Sequence, residues 1–215
     1  MLAALLAASL FAQSPQYPIL DRDLEVELAL SAAPPHVRPG AAVWVLGAAG
    51  FTLARAGTNA FSCVVARRGG DLFPVCWDAE GTTSLLPIDV DDAQLRLAGK
   101  SAGEIDALVQ ARFKSGQYHA PSRAGVAYML SPLRYRIDER GAVTKSPANP
   151  HVMFYGPNLT DADIGGVRGS LVYMNKVGPD GMIIVPVGAQ EREAIVAESE
   201  PLRRRLESAL GYTGR

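Results

Sequence analysis

Three histidines, two cysteines and one serine motif are the residues of this chain whose types could do chemistry. His151 stands at the mouth of an apolar run, Asn149-Pro150-His151-Val152-Met153-Phe154-Tyr155. An imidazole there can act as a base or a ligand, because its charge changes near neutral pH. His151 is therefore the candidate catalytic residue of a hydrolase-type reading, which needs a distant acid or serine beside it. Its plainer role is a capping or surface side chain. His36 lies in a Pro-rich link, and His119 follows a helical stretch beside Tyr118. Cys63 and Cys76 make an even pair, which in an oxidising compartment reads first as a disulfide. Closing such a loop stabilises a fold by about 3 kcal/mol in the chain-entropy model. A Cys2His2 metal site from Cys63, Cys76, His119 and His151 is the sharper alternative. Zinc ligands usually arrive in close pairs on one turn, and these four are scattered. Two separate buried thiols remain as a third reading. No cofactor is expected.

Gly99-Lys100-Ser101-Ala102-Gly103 fits the G-x-S-x-G nucleophile elbow. That motif works only on a sharp strand-to-helix turn. Here the preceding residues read as helix, and Glu104 follows Ser101 by three positions, the spacing of a capping box. Ser101 is therefore expected to cap a helix. Gly165-Gly166-Val167-Arg168-Gly169 has the composition of an anion-holding backbone nest, and is expected to be a surface loop. Asp161 and Asp163 resemble the start of a calcium loop whose later ligands are missing. Asp89, Asp91 and Asp92 read as helix starts. Asn158-Leu159-Thr160 is a formal glycosylation sequon, without meaning in a bacterial chain.

These residues need elements to hold them. Asp21 to Ala33 reads as a first helix, with Leu24, Leu28 and Ala32 on one face and Pro34-Pro35 as its stop. Val43 to Leu46, Phe51 to Arg55 and Phe61 to Ala66 read as a three-stranded meander, the last strand placing Phe61, Cys63 and Val65 on one face. Gly57 and Asn59 suit the turn before it through tolerance of positive φ. Arg67 to Thr83 reads as loop. Two helices, Val90 to Ala98 and Ser101 to Lys114, follow; Ile105, Leu108, Val109 and Phe113 form an apolar stripe on the second. Val126 to Leu130 and Val152 to Tyr155 read as strands. Tyr135 to Val143 reads as a hairpin turning at 139–141, and Leu171 to Lys176 with Met182 to Val187 as another. A final helix starts at Ser199-Glu200-Pro201. Strands in hairpins and helices in their own blocks predict an α+β fold: a mostly antiparallel sheet, N-terminal meander plus C-terminal hairpin, with helices packed against it.

The 215 residues allow one domain with appendages. The expected organisation is a signal peptide over 1–16, a single α+β domain over 17–188 and a helical extension over 189–215. The signal reading rests on the apolar run from Leu2 to Ala12 and its polar exit, too short to span a bilayer. No transmembrane segment is expected in the mature chain. Arg outnumbers Lys 17 to 4, a usage that points to a GC-rich bacterial genome, so export means the periplasm or the outside. A formal charge of −1 argues against nucleic acid held by a basic surface.

Several segments in their order resemble a group of exported bacterial hypothetical proteins. They are Ser31-Ala32-Ala33-Pro34, Gly57-Thr58-Asn59-Ala60-Phe61-Ser62-Cys63-Val64-Val65, Leu97-Ala98-Gly99-Lys100-Ser101, Tyr128-Met129-Leu130-Ser131 and Pro150-His151-Val152-Met153-Phe154-Tyr155. The resemblance covers roughly Glu25 to Val187. It implies export and a single domain, and transfers no activity and no catalytic residue. The leading expectation is thus a non-catalytic exported domain that binds a small molecule or a protein partner. The rivals are a hydrolase using His151 and a structural envelope protein. A pocket joining His151 to a carboxylate and a nucleophile would favour the enzyme; an open groove or a dry sheet face would favour binding.

Overall fold

A computed structural model describes residues 17–138, 140–167 and 170–214. The expected signal peptide, Glu139 of the hairpin turn, and Arg168 and Gly169 of the glycine-rich loop lie outside these residues. In chain order the elements are α1 (Arg22–Leu30), β1 (Ala42–Gly47), β2 (Gly50–Arg55), β3 (Ser62–Arg68) and β4 (Asp71–Trp77). Then come α2 (Ala79–Ser84), α3 (Leu86–Leu97), α4 (Ala102–Ser115), β5 (Val126–Met129), β6 (Tyr135–Ile137), β7 (Val143–Lys145) and β8 (His151–Tyr155). β9 (Tyr173–Met174), β10 (Met182–Pro186), α5 (Ala189–Glu198) and α6 (Glu200–Leu210) complete the chain. Among the described residues no helix is long and apolar enough to cross a membrane.

The fold is α+β, and its one sheet is mostly antiparallel. The strand order is β2-β1-β3-β4-β5-β8-β10-β9, with β6 and β7 branching from β4. The N-terminal strands are not a meander. β2 runs back along the outer edge of β1, and β3 joins the other edge of β1 in parallel. The reason lies in burial. β3 is buried on both faces and needs a neighbour on each edge, whereas β2 is partly exposed and suits the rim. The 56–61 connection therefore crosses the start of β1, with Thr58 N and Asn59 N donating to Gly40 O at 2.6 and 3.1 Å. A Cβ on Gly57 would fall 2.5 Å from Ala42 N. Close approach, not positive φ, is what requires glycine at 57; Ala60 is the residue there with positive φ.

The segment 67–83 is not a loop. It holds β4, a central strand, and the short helix α2. Pro74 hides this in the sequence, since proline lacks a ladder donor. β4 pairs with β6 through Asp71 and Leu72 and with β5 through Cys76 and Trp77. Pro74 falls between those two stretches, so on the edge away from β3 no strand runs past it.

The sheet separates two apolar clusters. On one face α1 and α6 pack through Leu24, Leu28, Leu202, Leu206 and Leu210 against Val43, Cys63, Val65, Leu72 and Cys76. On the other face α3 and its neighbours pack through Leu85, Leu86 and Ile88 against Val64, Ala66, Val75 and Trp77, and this cluster continues to Ala127, Met153, Tyr155, Met182 and Ile184. A fully buried ion pair fastens α1 to the first face. Arg67 Nη1 and Nη2 donate to Glu25 Oε1 and Oε2, both at 2.9 Å, and Leu46 N donates to Oε1 at 2.8 Å.

Candidate functional site

β8 brings His151 into register with Met129 of β5 and Pro186 of β10. Side chains alternate along a strand, so His151, Met153 and Tyr155 share one face. Tyr155 is tied down: its hydroxyl donates to Asp78 Oδ1 at 2.6 Å, and Val126 N donates to Asp78 Oδ2 at 2.8 Å. A Cβ on Gly81 would overlap that hydroxyl, so glycine at the first turn of α2 lets β8 lie close. His151, at the other end of the strand, opens onto a cavity.

This cavity encloses about 290 Å³ on the α3 side of the sheet. Its walls are apolar: Phe73, Val75 and Trp77 of β4, Met129 of β5, Met153 of β8, and Met182 and Ile184 of β10. Tyr173 and Asn175 close it from the β9 side. Its charged lining is Arg68, at the end of β3, and Arg134, just before β6. Both guanidiniums are anchored by carboxylates that do not line it. Arg68 Nε donates to Asp89 Oδ1 at 2.6 Å, and Trp77 Nε1 donates to Asp89 Oδ2 at 2.9 Å. Burial pushes the Asp89 carboxyl up, while Arg68 and the indole N–H pull it back. Arg134 Nη2 donates to Asp71 Oδ2 and its guanidinium lies 5.4 Å above the Phe73 ring.

His151 Nδ1 lies 2.7 Å from Asn149 O. A carbonyl oxygen only accepts, so Nδ1 carries the proton. Burial, and after it the field of Arg134, hold the imidazole below its ordinary range. With the proton on Nδ1, Nε2 is the acceptor of the neutral imidazole. Among the described residues no carboxylate, serine or cysteine lines this cavity beside His151.

The other sequence candidates are scattered. Cys63 and Cys76 are direct partners across β3 and β4, with Cα atoms 4.0 Å apart and sulfurs at disulfide distance. Both are buried on the α1 face, opposite the cavity. His119 is exposed and lines a broad recess of about 910 Å³ beside α4 and Asn158. His119 and His151 thus do not converge with the cysteines on one point, and among the described residues no cluster of three or more His, Cys, Asp or Glu could hold a metal. In the larger recess part of the polar lining is committed within the protein. Glu80 accepts from Ser122 N at 2.6 Å and Arg123 Nε at 2.9 Å, and Tyr118 donates to Asp91 at 2.6 Å.

Ser101 is a helix cap. Its Oγ accepts from Glu104 N at 3.3 Å, and Ser101 N donates to Glu104 Oε2 at 2.9 Å. Asp161 Oδ1 accepts from Met174 N at 2.6 Å, and Asp163 Oδ2 from Thr160 N at 2.8 Å, so both carboxylates are occupied by backbone. Asp89 and Asp92 are not simple helix starts; both are buried and paired to arginines. The residues the sequence reading missed are Arg68, Arg134 and the three methionines. One signal for Arg68 was present: continuing the alternation Val64, Ala66 by one step puts Arg68 on the same face.

Comparison with protein families, curated proteins and solved structures found no match.

Proposed function

We propose that this chain is an exported, non-catalytic binding domain that takes a small molecule in the cavity around His151. The observation that carries the reading is the cavity's make-up. A few polar groups converge on a wall of aromatic and methionine side chains, the composition of ligand sites in general. A volume near 290 Å³ fits a small ligand rather than a folded partner. Methionine adds adaptable, polarisable surface. Export is supported by the apolar N-terminal run in the sequence and by the cysteine pair at disulfide distance. Recovery of the chain from a host cytoplasm with Met1 intact would overturn that half of the reading.

Methionine-methyl NMR tests the binding half. Met129, Met153 and Met182 line the cavity, and Met174 does not. A library of small fragments should yield compounds that shift the first three methyls and leave Met174 nearly still. Fragments that shift only other sites, or no shift from any fragment, would sink the reading.

A further inference from the structure

We propose that the ligand is a small monoanion with an apolar body, a carboxylate facing Arg68 and Arg134 with its body against Phe73, Trp77 and the methionines. This deepens the binding reading above and rests on it. The first support is local charge. Arg68, Arg134 and Arg136 gather where Asp89 and Asp71 supply the counter-charges, Arg136 Nη1 lying 3.7 Å from Asp71 Oδ1. Among the described residues the full charges in the cavity wall are the two guanidiniums of Arg68 and Arg134. The acidic partners do not line the cavity, so what enters it faces the cations.

The second support is unspent donor capacity. A guanidinium carries five N–H donors in a planar fork. Arg68 spends Nε on Asp89, and Arg134 spends Nη2 on Asp71. Arg68 Nη2 and Arg134 Nε are buried without an acceptor. A buried donor left unpaired is costly, and a native structure rarely keeps two such groups beside one cavity. Both residues line the cavity. Carboxylate matches that planar geometry. The third support is the rest of the lining, which has no use for a bare inorganic anion. Eight of the side chains that line the cavity are apolar or aromatic: Phe73, Val75, Trp77, Met129, Met153, Tyr173, Met182 and Ile184.

The test titrates the full chain, methyl-labelled at methionine, with phenylacetate, phenylacetamide, acetate and inorganic phosphate. Phenylacetate should shift Met129, Met153 and Met182 with an affinity about tenfold or more above that for phenylacetamide, the scale of a hydrogen bond to a charged group. Acetate and phosphate, which lack the body, should be weaker still. Arg134→Gln should abolish the preference for phenylacetate over phenylacetamide; Asp71 keeps Arg136, and an unchanged Met174 methyl reports an intact fold. Arg68→Gln is the second variant, with the same expected loss of preference. Equal binding of phenylacetamide would overturn the anion while leaving the cavity reading intact. Equal binding of phosphate would overturn the apolar body. No shift from any of the four, with library fragments still binding, would overturn this proposal alone.

Discussion

The two halves of the sheet are built from similar strands and finished differently. β3 and β4 are buried along almost their whole length, between α1 and α6 on one side and α3 on the other. The Glu25–Arg67 pair is buried there with side chains 0% exposed on both partners, its carboxylate taken up by Nη1, Nη2 and Leu46 N. On β5, β8, β10 and β9 apolar residues are less covered: Phe154 is 44% exposed, and the opposite face, together with the edge of β4, holds the cavity. Its guanidiniums are only half committed. Alternation along a strand decides which residues share a face; it does not decide whether a helix arrives to cover that face. Where helices cover it, apolar residues become core. Where they do not, the same residues become a wall that a ligand can use.

The largest expected effect is on the clad half. Glu25→Ala leaves Arg67 charged and buried without its partner, and should cost about 3–5 kcal/mol, read by urea denaturation. Phe154→Ala, in the open half, should cost far less, because its ring is already in part in solvent. Replacing both partners by apolar residues, Glu25→Leu with Arg67→Met, should recover most of the loss. Equal losses for Glu25→Ala and Phe154→Ala would break the contrast between the halves.

The cysteine pair ranks next. Cys63 and Cys76 are 13 residues apart in sequence and join β3 to β4 inside the clad half. Replacing both by alanine should lower stability by about 3 kcal/mol in the chain-entropy model, and a reductant should lower the melting temperature of the parent chain but not of the variant. Ligand-induced methionine shifts should survive in the folded variant, since the pair faces away from the cavity. Loss of those shifts at full folding would show that the halves are coupled.

The sequence displayed the parts of the molecule that obey local rules. The Asp21 start of α1, the Ser101 box and the alternation of Val64 and Ala66 against Cys63 and Val65 are all set within a few residues of chain. What stayed hidden was set at long range. β3 pairs in parallel with β1, a long-range arrangement that no single strand announces. β4 was masked by Pro74, harmless only because β5 and β6 leave a gap there. His151 could be picked out by type and place. Its companions Arg68 and Arg134 come from positions 66 residues apart and meet only because β4 and β6 pair through Asp71 and Leu72. A site assembled across a sheet has no spacing signature, and its donors look like ordinary surface arginines until the sheet is closed.

The smallest effect sharpens the comparison from outside both halves. α4 packs on α3, in a layer beyond the sheet. Ser101→Ala should therefore cost only about 1 kcal/mol, the usual worth of an N-cap side chain, with the cavity unaffected. The acid response identifies the cap. Hydrogen bonds from Ser101 N first, then Lys100 and the Ser101 hydroxyl, hold the Glu104 carboxyl down at about 2. An unfolded glutamate titrates near ~4.3. A depressed carboxyl contributes stability that is present above the unfolded value and lost as pH falls through the folded one. The gap in melting temperature between parent and Ser101→Ala should thus stand at neutral pH and narrow as pH drops from about 4 toward 2, because protonating Glu104 weakens the hydrogen bond from the Ser101 hydroxyl to Oε2, the carboxylate contact that the variant already lacks. A gap independent of pH would mean that the Glu104 carboxylate does not act with Ser101. Labelling of Ser101 by a fluorophosphonate would overturn the cap itself, since the cap commits the hydroxyl to Glu104 N and Oε2.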